Sequence, residues 1–340
     1  MELSAIGTGC WAFGGGDYWG DQDQEDVDAV VHASVEYGVN YFDTAEAYNG
    51  GRSEISLGQA LQGIPRDKVV IGTKVSPSHC YAGTLEKHCE ESLRRLQTDY
   101  IDLYMIHWPI HPHSVRHFTQ DESVINNPPT IQEAIGAMLR LQESGKIVSL
   151  GVSNYSYRRL KNDIPDSVHV TVNELPYNLL CRAIEYDTLP YCAEKGIGII
   201  GYMTLLQGIL AGIYPTLSDV PAWQRRTRHF NCRGTTLCRH GEEGFELETE
   251  KALGEIQKIA QECGLKMAEI STRWVLANKN ITCALIGARN VAELNENLAA
   301  VEHPLEPSVV SRLNQITEEL KTKLGNHCDY YESAENDRTL

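Results

Sequence analysis

Residues 40–49 read Asn-Tyr-Phe-Asp-Thr-Ala-Glu-Ala-Tyr-Asn. A short strand-forming run stops at an acid, Asp43, and a small polar loop then carries a phenol, Tyr48. Two later segments repeat the pattern: Val-Val-Ile-Gly-Thr-Lys ends on Lys74, and Ile-Asp-Leu-Tyr-Met-Ile-His ends on His107. Any one of these side chains has an ordinary reading as a turn former, a core edge, a solvated strand end or a satisfied core histidine. Together they place an acid, a phenol, an amine and an imidazole at equivalent ends of consecutive strands. That is the pattern of parallel strands whose carboxyl ends share one functional face.

Outward from this stretch the same alternation runs through the chain. Candidate strands are 5–9, 40–43, 69–74, 101–107, 148–153, 170–174, 198–202 and 283–286. Helical patterns at 24–36, 83–96, 131–144 and 248–263 lie between them, with Gly38, Gly145, Gly196 and Gly264 as carboxyl-terminal stops. The expected fold is α/β, a (β/α)8 TIM barrel in a single domain over 1–326, followed by a polar surface tail at 327–340. A doubly wound sheet is the alternative, because alternation does not distinguish a closed sheet from an open one. Segments 108–129 and 207–244, after strands four and seven, read as long loops over an active site. Gly14-Gly15-Gly16 lacks dinucleotide-fingerprint spacing and reads as a flexible loop at the barrel mouth.

A formal charge of −16 gives no basic face for nucleic acid or an anionic membrane. With no long apolar run or leader pattern, a cytoplasmic protein is expected. Ten scattered cysteines without a Cys-x-x-Cys pair read as reduced thiols. His229, Cys232, Cys238 and His240 match no common zinc spacing, so no metal is expected. His111, His113 and His117 read as substrate-loop residues. A metal-dependent hydrolase is disfavoured because these histidines share loops instead of spreading over strand ends.

The chemistry suits proton transfer to a carbonyl oxygen. A free phenol has a pKa of about 10, and a neighbouring ammonium favours its ionised form. Lys74 would supply that charge and lower Tyr48, Asp43 would hold Lys74 protonated, and His107 would donate to the substrate oxygen. Tyr48 is then the acid in reduction and the base in oxidation.

At these residues the sequence resembles the aldo-keto reductases. The resemblance is carried by residues 40–48, by Gly-Arg-Ser-Glu at 51–54, by Asp-Leu-Tyr-Met-Ile-His-Trp-Pro at 102–109 and by Gly-Lys-Ile-Val-Ser-Leu-Gly-Val-Ser-Asn at 145–154. It implies reversible hydride transfer between NADP, with NAD as the alternative, and a small carbonyl or alcohol substrate of the sugar or polyol kind. It also implies that Ser153, Asn154 and Glu174 meet the nicotinamide carboxamide and that Tyr202 stacks on the ring. Cys10, Trp11 and Asp43 would lie beside the cofactor, and Met203, Thr204, Leu205, Gly208 and Gly212 would cover the pyrophosphate. Gly287, Arg289, Glu293 and Asn297 would face the adenosine end, where a helix start near Asn290 offers amide donors. A non-catalytic, redox-sensing subunit, like the family's ion-channel β subunits, is the alternative; the complete group of four weighs against it.

The pattern is broken in places. The chain starts almost at the first strand, so a more open barrel floor is expected. Met203 stands where the family has Ser, with Thr204 as its substitute. Glu174 stands where the family has Gln; ionised, it would favour the cationic, oxidised nicotinamide by at most about 3 kcal/mol at ~5 Å, and a neutral or solvent-screened Glu174 without that bias is the equal alternative. Arg289 and the Arg225, Arg226 and Arg228 cluster favour a 2′-phosphate, whereas Glu293 opposes one.

Overall fold

A computed structural model describes residues 1–340. Eight parallel strands close in chain order, which excludes the open doubly wound sheet: β1 (Ile6–Gly9), β2 (Tyr41–Asp43), β3 (Val70–Val75), β4 (Ile101–Ile106), β5 (Ile147–Ser153), β6 (Val172–Pro176), β7 (Gly198–Tyr202) and β8 (Cys283–Gly287). Closure is made by β8 on β1, with Ile6 opposite Ala284 and Gly9 opposite Gly287. All eight expected segments are strands; β6 begins two residues later than the apolar run suggests. The predicted glycine stops all have positive φ, the conformation in which a missing Cβ removes the steric penalty.

Side chains alternate between the two faces of a strand. Tyr41, Leu103, Met105, Val172, Ile200, Cys283 and Leu285 therefore share the barrel interior as one buried cluster. Leu3, just ahead of β1, is partly buried and packs on this cluster. Tyr41 is large for this space, and glycines make room: a Cβ at Gly72 would collide with the Tyr41 hydroxyl. Outside the barrel, helix 24–36 buries Val27, Val30 and Val31, and helix 131–143 buries Ala134, Ile135, Met138 and Leu141. The second of these helices starts at a reciprocal Thr130–Glu133 capping box.

The long connections after β4 and β7 are present. Gly14 is tightly packed, because a Cβ there would meet Arg52 O at 2.7 Å, and the flexible reading of the glycine run is corrected. Cys232 and Cys238 form a disulfide within the connection after β7, correcting the fully reduced reading. That reading came from the size of the core, which says nothing about two thiols brought together in a loop with little regular structure. The other eight cysteines are free.

The surface placement of the tail is also corrected. Asp329, Tyr330, Glu332, Asp337, Arg338 and Thr339 are buried. Charged groups are tolerated there because they are paired. Arg338 donates to both oxygens of Asp329 at 2.7 and 2.8 Å, and His117 Nε2 lies 3.2 Å from Glu332. His111 Nε2 meets Arg338 O at 3.1 Å, so His111 and His117 anchor the tail instead of forming a free substrate loop. No helix is long and apolar enough to cross a membrane.

Candidate active site

Asp43, Lys74, Glu174 and His107 reach the carboxyl end of the barrel from β2, β3, β6 and the residue after β4, and Tyr48 arrives from the turn after β2. Lys74 Nζ donates to Asp43 Oδ2 at 2.5 Å, to Thr44 O at 3.0 Å and to Tyr48 Oη at 3.3 Å. Lys74 has no solvent exposure. Burial alone would strip its proton, but Asp43, Glu174 and Tyr48 outweigh burial and hold the amine above its usual pKa. The Tyr41 hydroxyl, rising from the barrel interior, donates to the other oxygen of Asp43 at 3.1 Å.

The pKa of Tyr48 runs against the sequence expectation. Burial pushes the phenol above its ordinary value; Lys74 pulls it down, and the Asp43 and Glu174 carboxyls push it up. The pull of Lys74 is present but does not win, so Tyr48 carries its proton at neutral pH. His107 is driven the other way by burial and then by Lys74, and its imidazole is neutral. Its Nδ1 has no hydrogen-bond partner, and its ring meets Tyr48 edge-on with centroids 5.5 Å apart.

Glu174 is 3% exposed, and its Oε2 lies 3.4 Å from Lys74 Nζ without a hydrogen bond. Burial and the neighbouring Asp43 raise its pKa well above the carboxylate range. Of the two readings of Glu174, burial favours the neutral one. A dry pocket holding two carboxyls and one ammonium keeps a proton on one of the carboxyls.

Next to this group, Asn154 adopts a left-handed φ of 64°. Its Nδ2 donates to His107 O and to Ser153 Oγ, each at 3.0 Å, and its Oδ1 accepts from Tyr202 at 2.7 Å. Ser153 Oγ in turn donates to Glu174 O at 3.2 Å. Cys10 is buried, and Trp11 stacks on Tyr18 at 4.9 Å and lies 5.9 Å from the Tyr48 ring. After β7 the chain turns sharply through Met203, Leu205, Gly208 and Gly212, with positive φ at Met203, Gly208 and Gly212. Thr204 is not a free substitute for the family serine: it is buried, and its hydroxyl donates to Leu285 O at 3.0 Å.

Farther along the same face, Asp21, Asp23, Asp26, Arg289 and Glu293 line a cavity of about 210 Å³. Arg289 donates to Gln22 Oε1 at 3.0 Å and to Asp21 O at 2.5 Å, its amide donates to Glu293 at 2.8 Å, and Asn290 caps the helix 291–299. Asn297 Nδ2 donates to Gly287 O at 3.1 Å. The expected arginine cluster divides. Arg225 is used on Val220 O and Ser218 O, and Arg228 on Glu242 and Leu324 O. Arg226 instead lies 4.8 Å over the Tyr18 ring, with Nε unpartnered.

Several residues at the mouth escaped the sequence reading. Tyr18 donates to Gln207 at 3.0 Å, Gln207 donates to the Tyr331 hydroxyl at 3.3 Å, and Tyr18 packs on Trp223 at 4.7 Å. Arg338 lies 3.9 Å over Trp108. The Tyr18-Trp19 pair beside the glycine run was a readable signal. Nothing local marks Tyr331 or Arg338, whose place depends on the return path of the tail.

The model of the Aldo/keto reductase family matches residues 5–318. The chain is 31% identical to aldo-keto reductase YhdN of Bacillus subtilis, over 86% of this chain and 84% of that protein. It is 28% identical to the NADH-specific methylglyoxal reductase of Escherichia coli, over 94% and 97% of the two chains. The solved aldo/keto reductase of Klebsiella pneumoniae, in complex with NADP and acetate, superposes with a TM-score of 0.67 at 28% identity, covering 93% of this chain and 92% of that one. Strand order, strand-end chemistry and these matches agree, and the chain belongs to the aldo/keto reductase family, whose members are NAD(P)-dependent oxidoreductases.

Proposed function

We propose that the protein interconverts a carbonyl and an alcohol on a small polar substrate of the sugar or polyol class, with Tyr48 as general acid and base. The observation that carries this reading is the buried Lys74 ammonium, held 2.5 Å from Asp43 and 3.3 Å from the Tyr48 hydroxyl. In reduction Tyr48 Oη gives its proton to the substrate oxygen, and the phenolate left behind faces Lys74, which stabilises it. In oxidation the phenolate takes the alcohol proton. The neutral His107 imidazole donates an N–H to the same oxygen and orients it.

The residues present fit a nicotinamide cofactor. His107 Nδ1 and Glu174 Oε2 are buried polar atoms without partners at this end of the barrel, as expected where a polar ligand completes the site. Ser153, Asn154 and a neutral Glu174 would hold the carboxamide, Cys10, Trp11 and Tyr202 the ring, and the turn 203–212 the pyrophosphate. Bound there, the cofactor supplies or accepts the hydride. NADP is the assignment, with Gly287, Arg289 and Asn297 at the adenosine end. The acids around Arg289, Glu293 among them, and the NADH-specific relative keep NAD as the alternative.

The wall of Trp11, Tyr18, Trp19 and Trp223, with Arg226 above it, supports a hydroxylated substrate, since aromatic faces take apolar sugar faces while cations and imidazoles take hydroxyls. A cofactor-linked screen of sugars, cyclitols, aldehydes and ketones in both directions tests this. Tyr48→Phe should lose turnover and keep cofactor binding by fluorescence titration; full turnover in that variant would overturn the assignment.

A further inference from the structure

Beside the catalytic group, but separate from it, three elements bring Glu46, His79 and His88 together. Glu46 lies in the turn after β2, His79 in the turn after β3, and His88 on helix 82–96. Glu46 Oε1 lies 2.7 Å from His79 Nδ1, and Oε2 lies 2.7 Å from His88 Nδ1. The two rings stack with centroids 3.8 Å apart and planes 20° apart. Ser76 N–H donates to Oε1 at 2.8 Å. One ligand atom from each residue falls within 4.8 Å of the others.

The geometry points to a binding site for one divalent transition-metal ion of the zinc class, with Glu46, His79 and His88 as protein ligands and water completing the coordination. The donor set selects the class: two imidazoles with one carboxylate suit Zn²⁺, Co²⁺, Ni²⁺ or Cu²⁺, whereas Mg²⁺ and Ca²⁺ take oxygen. Glu46 is 8% exposed, so its carboxyl is a buried polar group turned toward both rings. Metal–donor bonds of about 2.0–2.2 Å set tetrahedral ligand atoms about 3.4 Å apart, so the 2.7 Å contacts from Glu46 to each histidine need open by less than about 1 Å to admit an ion. The histidine side chains, 35% and 21% exposed, leave room for the rings to turn onto the ion and for water to reach it. Sequence spacing gives no sign of this site because its ligands come from separate elements. An ion here would fasten the turn that presents Tyr48, two residues after Glu46, to the turn that follows Lys74.

The test is equilibrium dialysis of the full-length protein against Co²⁺ and Zn²⁺, with bound metal counted by elemental analysis. About one equivalent should bind to the wild type, with affinity reduced at least about tenfold in His88→Ala and the site lost in His79→Ala/His88→Ala. Cys232→Ser/Cys238→Ser should bind as the wild type does, which separates this site from the Cys232, Cys238 and His240 group in the connection after β7. Circular dichroism establishes that each variant is folded, and His79→Gln/His88→Gln serves as the second version should the alanine pair misfold. A wild type that binds no metal, or a folded double histidine variant that binds as much as the wild type, overturns the proposal.

Discussion

Lys74 Nζ lies 3.3 Å from Tyr48 Oη, yet the phenol is held above its ordinary pKa, because burial outweighs the ammonium beside it. In the free protein Tyr48 is therefore a stored acid. Carbonyl reduction should be nearly flat with pH through neutrality and fall only at alkaline pH. Alcohol oxidation, which needs the phenolate, should rise with pH over the same range. Rate profiles in both directions check this; an oxidation rate already maximal at neutral pH would contradict the raised phenol.

Lys74→Met removes the charge that stabilises the phenolate. A fall in kcat of about 10²–10⁴ is expected, the usual range for positioned acid–base catalysis, with cofactor affinity changed far less. Stopped-flow measurement of the hydride step, together with equilibrium cofactor titration, separates the two effects.

Burial and Asp43 raise the Glu174 pKa well above the carboxylate range, the direction in which Glu174→Gln replaces one neutral hydrogen-bonding group by another. The ratio of oxidised to reduced cofactor affinities should stay within about twofold, far from the shift an ionised carboxylate would produce. Stability supplies an independent readout. A carboxyl whose pKa is raised on folding binds more protons folded than unfolded, so stability is lost as pH rises from its unfolded value toward its folded one. Denaturant unfolding from pH 4 to 8 should show Glu174→Gln gaining on the wild type as pH rises.

Arg338→Ala leaves Asp329 buried without its partner. Asp329 is 1% exposed; burial raises its pKa, but the Arg338 contacts prevail and depress it. Removing one member of such a pair typically costs about 3–5 kcal/mol, and release of the tail limits the loss. Faster proteolysis near residue 330 and a raised substrate KM with cofactor affinity little changed are the expected results. In the wild type the contribution of Asp329 is present above its unfolded pKa and lost as pH falls through the depressed folded value.

Gly72→Ala would set a Cβ against the Tyr41 hydroxyl, which orients Asp43. Overpacking of this kind costs about 1–3 kcal/mol, so a lower Tm and lower kcat are expected. Tyr41→Phe should recover only part of the Tm in the double variant, because the hydroxyl makes the closest contact but the ring carbons Cε2 and Cζ, each 2.9 Å from the added Cβ, remain. Identical melts for the single and double variants would place the strain elsewhere.

Strand periodicity and the side chain that ends each strand are local properties. That is why Asp43, Lys74 and His107 could be placed on one face before any contact was known, and why Tyr48, one short turn past β2, came with them. Local sequence did not carry closure of the sheet, which is a pairing between β1 and β8 at opposite ends of the chain. Nor did it carry the burial of Arg338 and Asp329, because a polar segment becomes interior only when its partners are folded around it. The same reason reversed the reading of Tyr48 and chose between the two readings of Glu174. Their pKa directions are set by desolvation and by charges from other strands, quantities that exist only once water has been excluded from the barrel mouth.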